Sequence, residues 1–352
     1  MKVLVLAKYG LRAASPRHRF LAFAPYLEKQ GIHLVFEPLF DDSYLASRLT
    51  SGELDRKALL RSYLRRVTAM LGSSRYDLLW IHCELFPYLP AWIEQLLARA
   101  GVRYVFDYDD AIFHMYDQHP NGWVRRALGD KIGRVIEGAQ AVTAGSQYLV
   151  EYARRYQSNV HLVPTVVALE RYAVEPGDRD GRFTVGWIGS PSTARFLSEL
   201  REPLAALARE IPLKVLLIGS GPMEVPDVDL EVREWSEDRE AADLAECDVG
   251  VMPLPDAPWA RGKCAFKLIQ YMAAGLPTVG SPVGANRDVV TEQTGWMASS
   301  PEEWKTALRR LAEDPELRRR LGAAGRARAK ERYSLTSQEP RVKRILSEAG
   351  GA

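Results

Sequence analysis

Residues 183–219, FTVGWIGSPSTARFLSELREPLAALAREIPLKVLLIG, contain two short apolar runs that flank a longer amphipathic stretch. Each apolar run has the length and composition of a buried strand, and the stretch between them has apolar residues at helical spacing. A strand, a helix and a second strand in this order form a parallel βαβ unit, because the helix carries the chain back to the starting edge of the sheet. The segment therefore predicts a parallel sheet covered by helices.

The same alternation extends through most of the chain. In the first half we expect strands at 2–7, 33–38, 77–82, 103–107, 141–145 and 160–164, and in the second at 183–189, 213–219, 229–235, 248–255 and 277–282. A polar stretch, ALERYAVEPGDRDGR (168–182), separates the two sets and is the expected interdomain linker. The fold class is α/β, with two doubly wound parallel-sheet domains in tandem. Ligands of such sheets bind beyond the carboxyl ends of the strands, and the cleft between two domains is a natural place for a shared site.

Composition and length agree with this architecture. The 352 residues suit two domains, and 47 basic against 45 acidic side chains give a net charge of +2, which does not favour a nucleic-acid partner. Three widely spaced cysteines, Cys83, Cys247 and Cys264, indicate reduced thiols in a cytoplasmic protein. The first residues have only a short apolar run before Lys8, so we expect neither a signal peptide nor a membrane span.

A phosphate site is expected in the second half of the chain. The dinucleotide fingerprint Gly-x-Gly-x-x-Gly is missing after the first strand of each half, which argues against a dehydrogenase. The loop Gly189-Ser190-Pro191-Ser192-Thr193 instead leads directly into a helix over 192–210, where exposed amides and hydroxyls suit a phosphate. The alternative is that Ser192 or Thr193 is only an N-cap.

Two lysines strengthen the prediction of an anion site. In APWARGKCAFKLIQYMAAGLPTVGSPVGANRDVV (257–290), Lys263 and Lys267 are four residues apart and are expected on one face of a helix that begins near Cys264. Cations near a helix N-terminus are unfavourable, so the pair indicates a missing anion, with a solvated pair as the alternative. Gly275 is expected to end this helix.

At this point the sequence resembles a known family. KLIQYMAAGLPTVGSPVGANRDVV, followed by TGWMASSPEEWKTALRRLAEDPELRRRLGAAGRARAKERYS, is similar to the carboxyl-terminal domain of family 4 glycosyltransferases, the glycosyl transferases group 1 family. The resemblance implies a GT-B fold, in which two Rossmann-like domains face each other across a cleft, and sugar transfer from a nucleotide donor with retention at the anomeric carbon. It implies domains at 1–167 and 183–334, with a last helix at 335–352 that crosses back to the first domain.

The resemblance also implies a donor site. A diphosphate would be held by the Gly189–Thr193 loop, through Gly189, Ser190, Ser192 and Thr193, and by Lys263 or Lys267. The nucleoside would lie near Trp235 and Gln270. Many members carry two glutamates eight residues apart, and this sequence has Gly262 and Gln270 at those positions. Because Gly262 has no carboxylate, the resemblance does not indicate how the donor sugar would be held there.

An aspartate cluster follows the fourth strand. VFDYDDAIFHMYD (105–117) contains an Asp-x-Asp pair, a pattern that in other enzymes ligates Mg²⁺ or Mn²⁺. In a GT-B enzyme helix amides and basic side chains stabilise the leaving diphosphate, so no metal or other cofactor is required. We therefore predict catalytic roles for Asp107, Asp109 and Asp110 and keep a metal site as the alternative. Asp109 stands where many family members have a histidine.

Acceptor binding is expected at two other loops of the first half. SPRHR (15–19) supplies Arg17 and Arg19, and Glu84 follows the third strand. The isolated His82 and His114 are left out of the catalytic set, because a lone histidine is more often structural. The Arg-rich stretch 56–70, with Arg56, Lys57, Arg61, Arg65 and Arg66, predicts a solvated helix face or, as the alternative, a surface for anionic lipid.

Taken together, the sequence predicts a soluble, metal-independent, retaining glycosyltransferase of the hexosyl type in the cytoplasm, with peripheral contact at the inner membrane face as an option. Its partners would be a nucleoside-diphosphate sugar and a glycan, lipid-linked or small-molecule acceptor. Two other hypotheses are a nucleotide-sugar epimerase on the same fold and a non-catalytic sugar-nucleotide-binding protein of a glycan-assembly complex.

Overall fold

The computed structural model describes residues 1–42, 44, 55–174 and 181–351. These residues form two compact units. The first contains Met1–Thr165, Gly262–Cys264 and Gln338–Ala352, and the second contains Val166–Arg261 and Ala265–Ser337. Each unit is an α/β structure around one parallel sheet, as the sequence predicts.

The sheet of the first unit has six parallel strands in the order β2-β1-β3-β4-β5-β6. All six strands predicted from the sequence are confirmed. They are β1 (Lys2–Tyr9), β2 (His33–Phe40), β3 (Leu78–His82), β4 (Tyr104–Tyr108), β5 (Ala141–Ala144) and β6 (Val160–Leu162). In the pairing of β3 with β4, His82 lies opposite Asp107, so the loops after these two strands begin side by side.

The helices of the first unit begin and end where local chemistry requires it. They are α1 (Ala14–Arg19), α2 (Ala24–Lys29), α3 (Arg56–Leu71), α4 (Trp92–Arg99), α5 (His114–Asp117), α6 (Gly122–Leu128), α7 (Lys131–Glu137) and α8 (Gln147–Ala153). Helix α3 begins after Asp55, whose side chain accepts from the backbone N–H groups of Lys57 and Ala58. Just after α2, Gly31 takes a left-handed conformation with φ 75°, the conformation that commonly ends a helix.

The sheet of the second unit also has six parallel strands, in the order β12-β11-β10-β7-β8-β9. They are β7 (Phe183–Ile188), β8 (Leu213–Ile218), β9 (Asp229–Arg233), β10 (Val249–Met252), β11 (Thr278–Gly280) and β12 (Gly295–Met297). The five predicted strands are confirmed. The edge strand β12 was not predicted, because only three residues pair with β11 and polar residues surround them.

The helices of the second unit correct one prediction. They are α9 (Pro191–Ala194), α10 (Arg201–Ala208), α11 (Glu240–Ala245), α12 (Pro258–Arg261), α13 (Phe266–Ala273), α14 (Asn286–Val289), α15 (Pro301–Glu313) and α16 (Pro315–Arg328). The last helix, α17 (Leu335–Gly350), begins in this unit and belongs to the first unit from Gln338 onward. The single helix expected over 192–210 is wrong: a 3₁₀ segment, Arg195–Leu200, separates α9 from α10. Pro203 has no N–H to donate to the preceding turn, so a continuous α-helix would lack a hydrogen bond there.

Two apolar layers cover the faces of the second sheet. Alternate residues of β8 point to opposite faces, so Leu216 and Ile218 join one core cluster, whereas Val215 and Leu217 join the other. The first cluster includes most of α13, and the second includes the buried faces of α10 and α15. Burial on both faces explains why the inner strands β7 and β10 consist mostly of apolar residues.

The predicted linker is partly structured. Leu169–Tyr172 form a 3₁₀ turn, and Tyr172 is buried in the second unit. Residues 175–180 of the predicted linker lie outside the described residues. Within the part of the chain that the structure describes, no helix is both long and apolar enough to cross a bilayer.

Candidate active site

Asp107, near the end of β4, forms a buried ion pair with Arg19 of α1. Arg19 donates to both carboxylate oxygens at 2.6 Å, and the Thr143 hydroxyl donates to Oδ2 at 2.5 Å. Both charged side chains are 1% exposed, and Arg19 also donates to the Val163 carbonyl at 3.0 Å. Burial opposes the charge on Arg19, but the Asp107 carboxylate outweighs it and raises the pKa of the guanidinium. The roles predicted from the sequence, catalysis for Asp107 and acceptor binding for Arg19, would require these closed contacts to open.

Asp109 lies two residues further on and has different partners. Ser15 donates to its Oδ2 at 2.5 Å, and Nε2 of His82 lies 3.3 Å from its Oδ1. Burial alone would raise the pKa of Asp109, but the hydrogen bonds from His82 and Ser15 and the charge of Arg19 hold it below its usual range. Asp109 is therefore ionised at neutral pH, and it keeps 14% of its side chain exposed.

Ser15 and His82 were not assigned as site residues from the sequence. His82 looked isolated because it is 27 residues from Asp109 along the chain. It ends β3, however, and Asp109 follows β4, so the neighbouring parallel strands bring the two side chains together. The position of His82 at the carboxyl end of a strand is the signal that could have identified it.

Asp110 forms an ion pair with Lys263, whose Nζ lies 2.8 Å from Oδ1. Both residues belong to the first unit, which includes Gly262–Cys264. Burial, together with the neighbouring Asp109 charge, raises the pKa of Asp110 more than Lys263 lowers it. The pKa of Lys263 is also raised, because the attraction of Asp110 exceeds the cost of burial.

The predicted placement of Lys263 and Lys267 on one helix face is wrong. Helix α13 begins only at Phe266, and Ala265 before it has a left-handed backbone with φ 55°. Lys263 therefore precedes the helix, whereas Lys267 lies in its first turn. The two lysines therefore do not form the i, i+4 pair that the sequence predicts.

The departure from the family pattern at Gly262 has a steric explanation. A Cβ at this position would lie 2.4 Å from Cβ of Ala111 and 2.8 Å from its backbone nitrogen. Both distances are shorter than van der Waals contact, so this packing has no room for a glutamate side chain at position 262.

Glu84 lies in a closed network of charges. Lys8 donates to it at 3.2 Å, and Lys131 and the Tyr116 hydroxyl each donate at 2.5 Å. The Glu84 side chain is 0% exposed. Burial opposes its ionisation, but the two lysines lower its pKa below the usual range. Its predicted contact with an acceptor would require this network to open, whereas Arg17, the remaining acceptor candidate, is half-buried on α1.

Metal ligands are available beside Asp109. His82, Cys83 and Asp109 offer ligand atoms that all lie within 4.8 Å of one another. Burial and the nearby Asp109 carboxylate raise the pKa of the Cys83 thiol well above its ordinary value, which opposes the thiolate that a metal needs. Of the Asp-x-Asp pair itself, Asp107 is bound to Arg19 and Asp109 to Ser15, so the two carboxylates have separate partners.

In the second unit, the loop after β7 and the start of α13 come together. Lys267 lies directly against Gly189: a Cβ on Gly189 would be 2.6 Å from Cε of Lys267. The Lys267 ammonium lies 5.2 Å from the centre of the Trp187 ring. The structure thus brings one predicted phosphate-binding lysine to the predicted phosphate-binding loop.

The hydroxyl groups of this loop hydrogen-bond locally. Oγ of Ser190 lies 2.8 Å from Oγ of Ser192, and the Thr193 hydroxyl donates to the Ser190 carbonyl at 3.0 Å. Ser190 occupies the N-cap position of α9 without a capping bond from its side chain. The alternative that Ser192 or Thr193 is the N-cap is therefore wrong.

Trp235 and Gln270, the two residues predicted to lie near the nucleoside, are linked by hydrogen bonds through Glu240 and Tyr172. The Trp235 indole donates to Glu240 at 2.7 Å, the Tyr172 hydroxyl donates to the second oxygen of Glu240, and Gln270 donates to the Tyr172 hydroxyl at 3.4 Å. Burial and the Glu240 charge raise the pKa of Tyr172 well above its ordinary value, so it remains a donor. Gln270 is 4% exposed, whereas Trp235 is half-buried. Neither Tyr172, which lies in the predicted linker, nor Glu240 was predicted as a site residue.

Comparison with known proteins gives matches to both units. One family model, glycosyl transferases group 1, matches residues 182–314, and a second, glycosyl transferase 4-like domain, matches residues 11–168. No match was found among curated protein sequences.

Solved structures show the same fold at low sequence identity. Sucrose-phosphate synthase from Thermosynechococcus elongatus has a TM-score of 0.70 and 16% identity, over 99% of this chain and 98% of that one. HepE from Anabaena, in complex with UDP-glucose, has a TM-score of 0.70 and 14% identity, over 99% and 100% of the two chains. A glycosyltransferase from Rickettsia africae has a TM-score of 0.68 and 10% identity, over 99% and 98%.

Proposed function

We propose that this chain, which belongs to the glycosyl transferases group 1 family, moves a hexosyl group from a nucleoside-diphosphate sugar to an acceptor hydroxyl, with retention at the anomeric carbon and without a metal. The observation that carries the proposal is the contact of Lys267 with Gly189 at the carboxyl end of β7. It supports a cation and a small-residue loop acting together on one diphosphate.

The second unit would bind the donor. Lys267 would neutralise the diphosphate, while the amides and hydroxyls of Ser190, Ser192 and Thr193 would donate to its oxygens. The half-buried Trp235 offers a ring for the base, and its bond to Glu240 fixes the orientation of that ring. HepE was solved with UDP-glucose, and this makes UDP-glucose the first donor to test.

The first unit would supply the charge that acts on the reacting sugar. Asp109 is ionised and partly exposed, and two donors hold it in place. A fixed carboxylate stabilises the positive charge that develops on a sugar ring in an oxocarbenium-like transition state. The buried pair of Arg19 and Asp107 would hold α1 against β4 and thereby position Ser15, whereas Asp110 would position Lys263.

A donor-binding experiment tests the diphosphate site. Lys267→Ala should weaken UDP binding in calorimetry, while Lys330→Ala, an exposed lysine of the same unit, serves as the matched control. Equal UDP affinity in the Lys267→Ala variant and the wild type would remove Lys267 from the site.

Parallel product assays separate the proposed reaction from its rivals. The transferase should release UDP from UDP-sugar and form a glycoside. Formation of an epimer without UDP release would identify an epimerase, and tight UDP-sugar binding without turnover on any acceptor would identify a binding protein.

A further inference from the structure

Among the described residues, Lys8 is a buried cation with a single hydrogen-bond partner. It lies near the carboxyl end of β1, and 10% of its side chain is exposed. Its Nζ donates to Oε1 of Glu84 at 3.2 Å. An ammonium has three N–H donors, so two of them have no partner in the described ranges. Lysine is seldom buried in this way unless a partner satisfies it.

Lys131, the second lysine at Glu84, is satisfied more fully. Its Nζ donates to Oε2 of Glu84 at 2.5 Å, to the Phe86 carbonyl at 2.6 Å and to the Tyr116 hydroxyl at 3.4 Å. All three of its donors are therefore used. The contrast with Lys8 is between two buried lysines that share one carboxylate.

The nearby carboxylates also compensate Lys131 more fully than Lys8. Burial raises the pKa of Glu94, and the attraction of Lys131 opposes that rise. Glu94 accepts from the Leu85 N–H at 3.2 Å. Lys8 contacts Glu84, which divides its charge between the two lysines. An added anion at Lys8 would supply the rest of the counter-charge and accept from the two unused donors.

The strand order places Lys8 where parallel sheets bind ligands. β1 lies between β2 and β3, so the chain leaves β1 towards one side of the sheet and then continues on the other. Such a reversal of strand order opens a crevice at the carboxyl ends of the two strands, and ligands of doubly wound sheets bind there. Lys8 is near the end of β1, and Glu84 closely follows β3, so both belong to this crevice.

The crevice adjoins the Asp109 carboxylate. Cys83 precedes Glu84 and has a left-handed backbone with φ 67°, a strained conformation of the kind that clusters at ligand sites. Its Sγ lies within 4.8 Å of a carboxylate oxygen of Asp109 and of a ring nitrogen of His82. The end of β3 and its loop therefore connect Asp109 with the partner of Lys8.

We propose that Lys8 binds an anionic group, a carboxylate or a phosphate, on the acceptor. The acceptor would be an acidic sugar or a sugar phosphate, with its anion at Lys8 and a hydroxyl towards Asp109. This inference rests on the proposed function, since it assigns the substrate class of the acceptor in that transfer. Glu84 would orient the Lys8 ammonium and would not itself contact the acceptor.

Calorimetry on the full chain with saturating UDP tests the proposal, because UDP then occupies the donor diphosphate site. The ligands are methyl glucuronide, glucose 6-phosphate and the neutral methyl glucoside. We expect at least one anionic ligand to bind at least about tenfold more tightly than methyl glucoside, the gain for hydrogen bonds to a charged group. A gain for the glucuronide alone would identify a carboxylate, and a gain for glucose 6-phosphate alone would identify a phosphate.

Lys8→Met tests whether Lys8 is the residue responsible. The variant leaves Glu84 paired with Lys131, so we expect it to fold. It should weaken binding of the preferred anionic ligand at least about tenfold and leave binding of methyl glucoside unchanged. In turnover assays, it should raise KM for the anionic acceptor and leave KM for the UDP-sugar unchanged. Lys2→Met, at the exposed amino end of the same strand, is the matched control and should behave like the wild type.

Two results would overturn the proposal while UDP binding is intact. They are equal affinity of the wild type for the anionic and neutral ligands, and equal affinity of Lys8→Met and the wild type for the anionic ligand. If Lys8→Met lowers stability in urea but keeps the wild-type affinities, Lys8 is only a structural partner of Glu84. Absence of UDP binding would instead refute the proposed function, and the same titrations without UDP would then decide whether Lys8 binds an anion.

Discussion

Replacing Asp109 by asparagine tests the assignment of its charge. The carboxylate accepts from Ser15 at 2.5 Å and lies 3.3 Å from Nε2 of His82. Asparagine has nearly the same shape but no charge, and only one of its two terminal atoms accepts a hydrogen bond. The variant therefore removes the negative charge that would face the reacting sugar while leaving the backbone and the buried Asp107 pair in place.

The expected loss is in turnover. Removing one group that stabilises charge in a transition state costs about 10²–10³ in kcat, so we expect kcat of the Asp109→Asn variant to fall by at least about 10². The affinity for UDP, which belongs to the second unit, should change little. Steady-state kinetics and calorimetry on the same preparations measure the two effects.

Asp117→Asn is the matched control, because it makes the same change on α5 at a carboxylate whose side chain is 38% exposed. It should keep wild-type turnover. A fully active Asp109→Asn variant would refute the reasoning and leave Asp109 as a structural partner of Ser15 and His82.

Four further predictions concern binding, stability, pH and metal. Lys267→Ala should weaken UDP binding by about 1.5–3 kcal/mol in calorimetry, the range for hydrogen bonds to charged groups. Glu84→Gln should lower the free energy of unfolding in urea by about 3–5 kcal/mol, because it leaves Lys8 and Lys131 as uncompensated buried charges; Glu316→Gln, whose side chain is 77% exposed, should not. Since the folded-state pKa values of Asp109 and Glu84 are lowered, their contribution to stability should be present above about pH 4 and be lost as the pH falls further, as urea titrations at several pH values would show. Turnover should persist in excess EDTA, and loss of turnover with recovery on adding Mn²⁺ would establish a metal site.

The sequence predicted the sheets well because both are parallel and buried on both faces. Inner strands such as Phe183–Ile188 and Val249–Met252 are mostly apolar runs, and Gly or polar residues bound them clearly. The exception, Gly295–Met297, pairs through three residues at a sheet edge and has no such run. The helix expected over 192–210 failed at Pro203, whose effect on the preceding turn depends on where each helix begins.

The site was harder to predict because sequence spacing does not reveal which charges pair. Nothing in the sequence marks Asp107, Arg19 or Glu84 as a member of an ion pair, and only the folded chain brings Arg19 to Asp107 over 88 residues and Lys8 to Glu84 over 76. Lys263 lies outside the helix that contains Lys267 because Ala265 between them has a left-handed backbone conformation, which alanine rarely adopts. By contrast, the approach of Lys267 to Gly189 agrees with the expectation that loops at the carboxyl ends of strands meet.

Following the sugar and the diphosphate together in one reaction tests the central claim most directly. The chain is incubated in EDTA with an α-linked UDP-sugar and candidate hydroxyl acceptors, and phosphorus and proton NMR spectra are recorded over time. We predict that UDP appears in step with a new α-glycoside, and that both appear about 10² times more slowly with Asp109→Asn. A donor that remains intact with every sugar and acceptor tested, or one whose sugar is epimerised while it stays bound to the diphosphate, would contradict the proposed transfer.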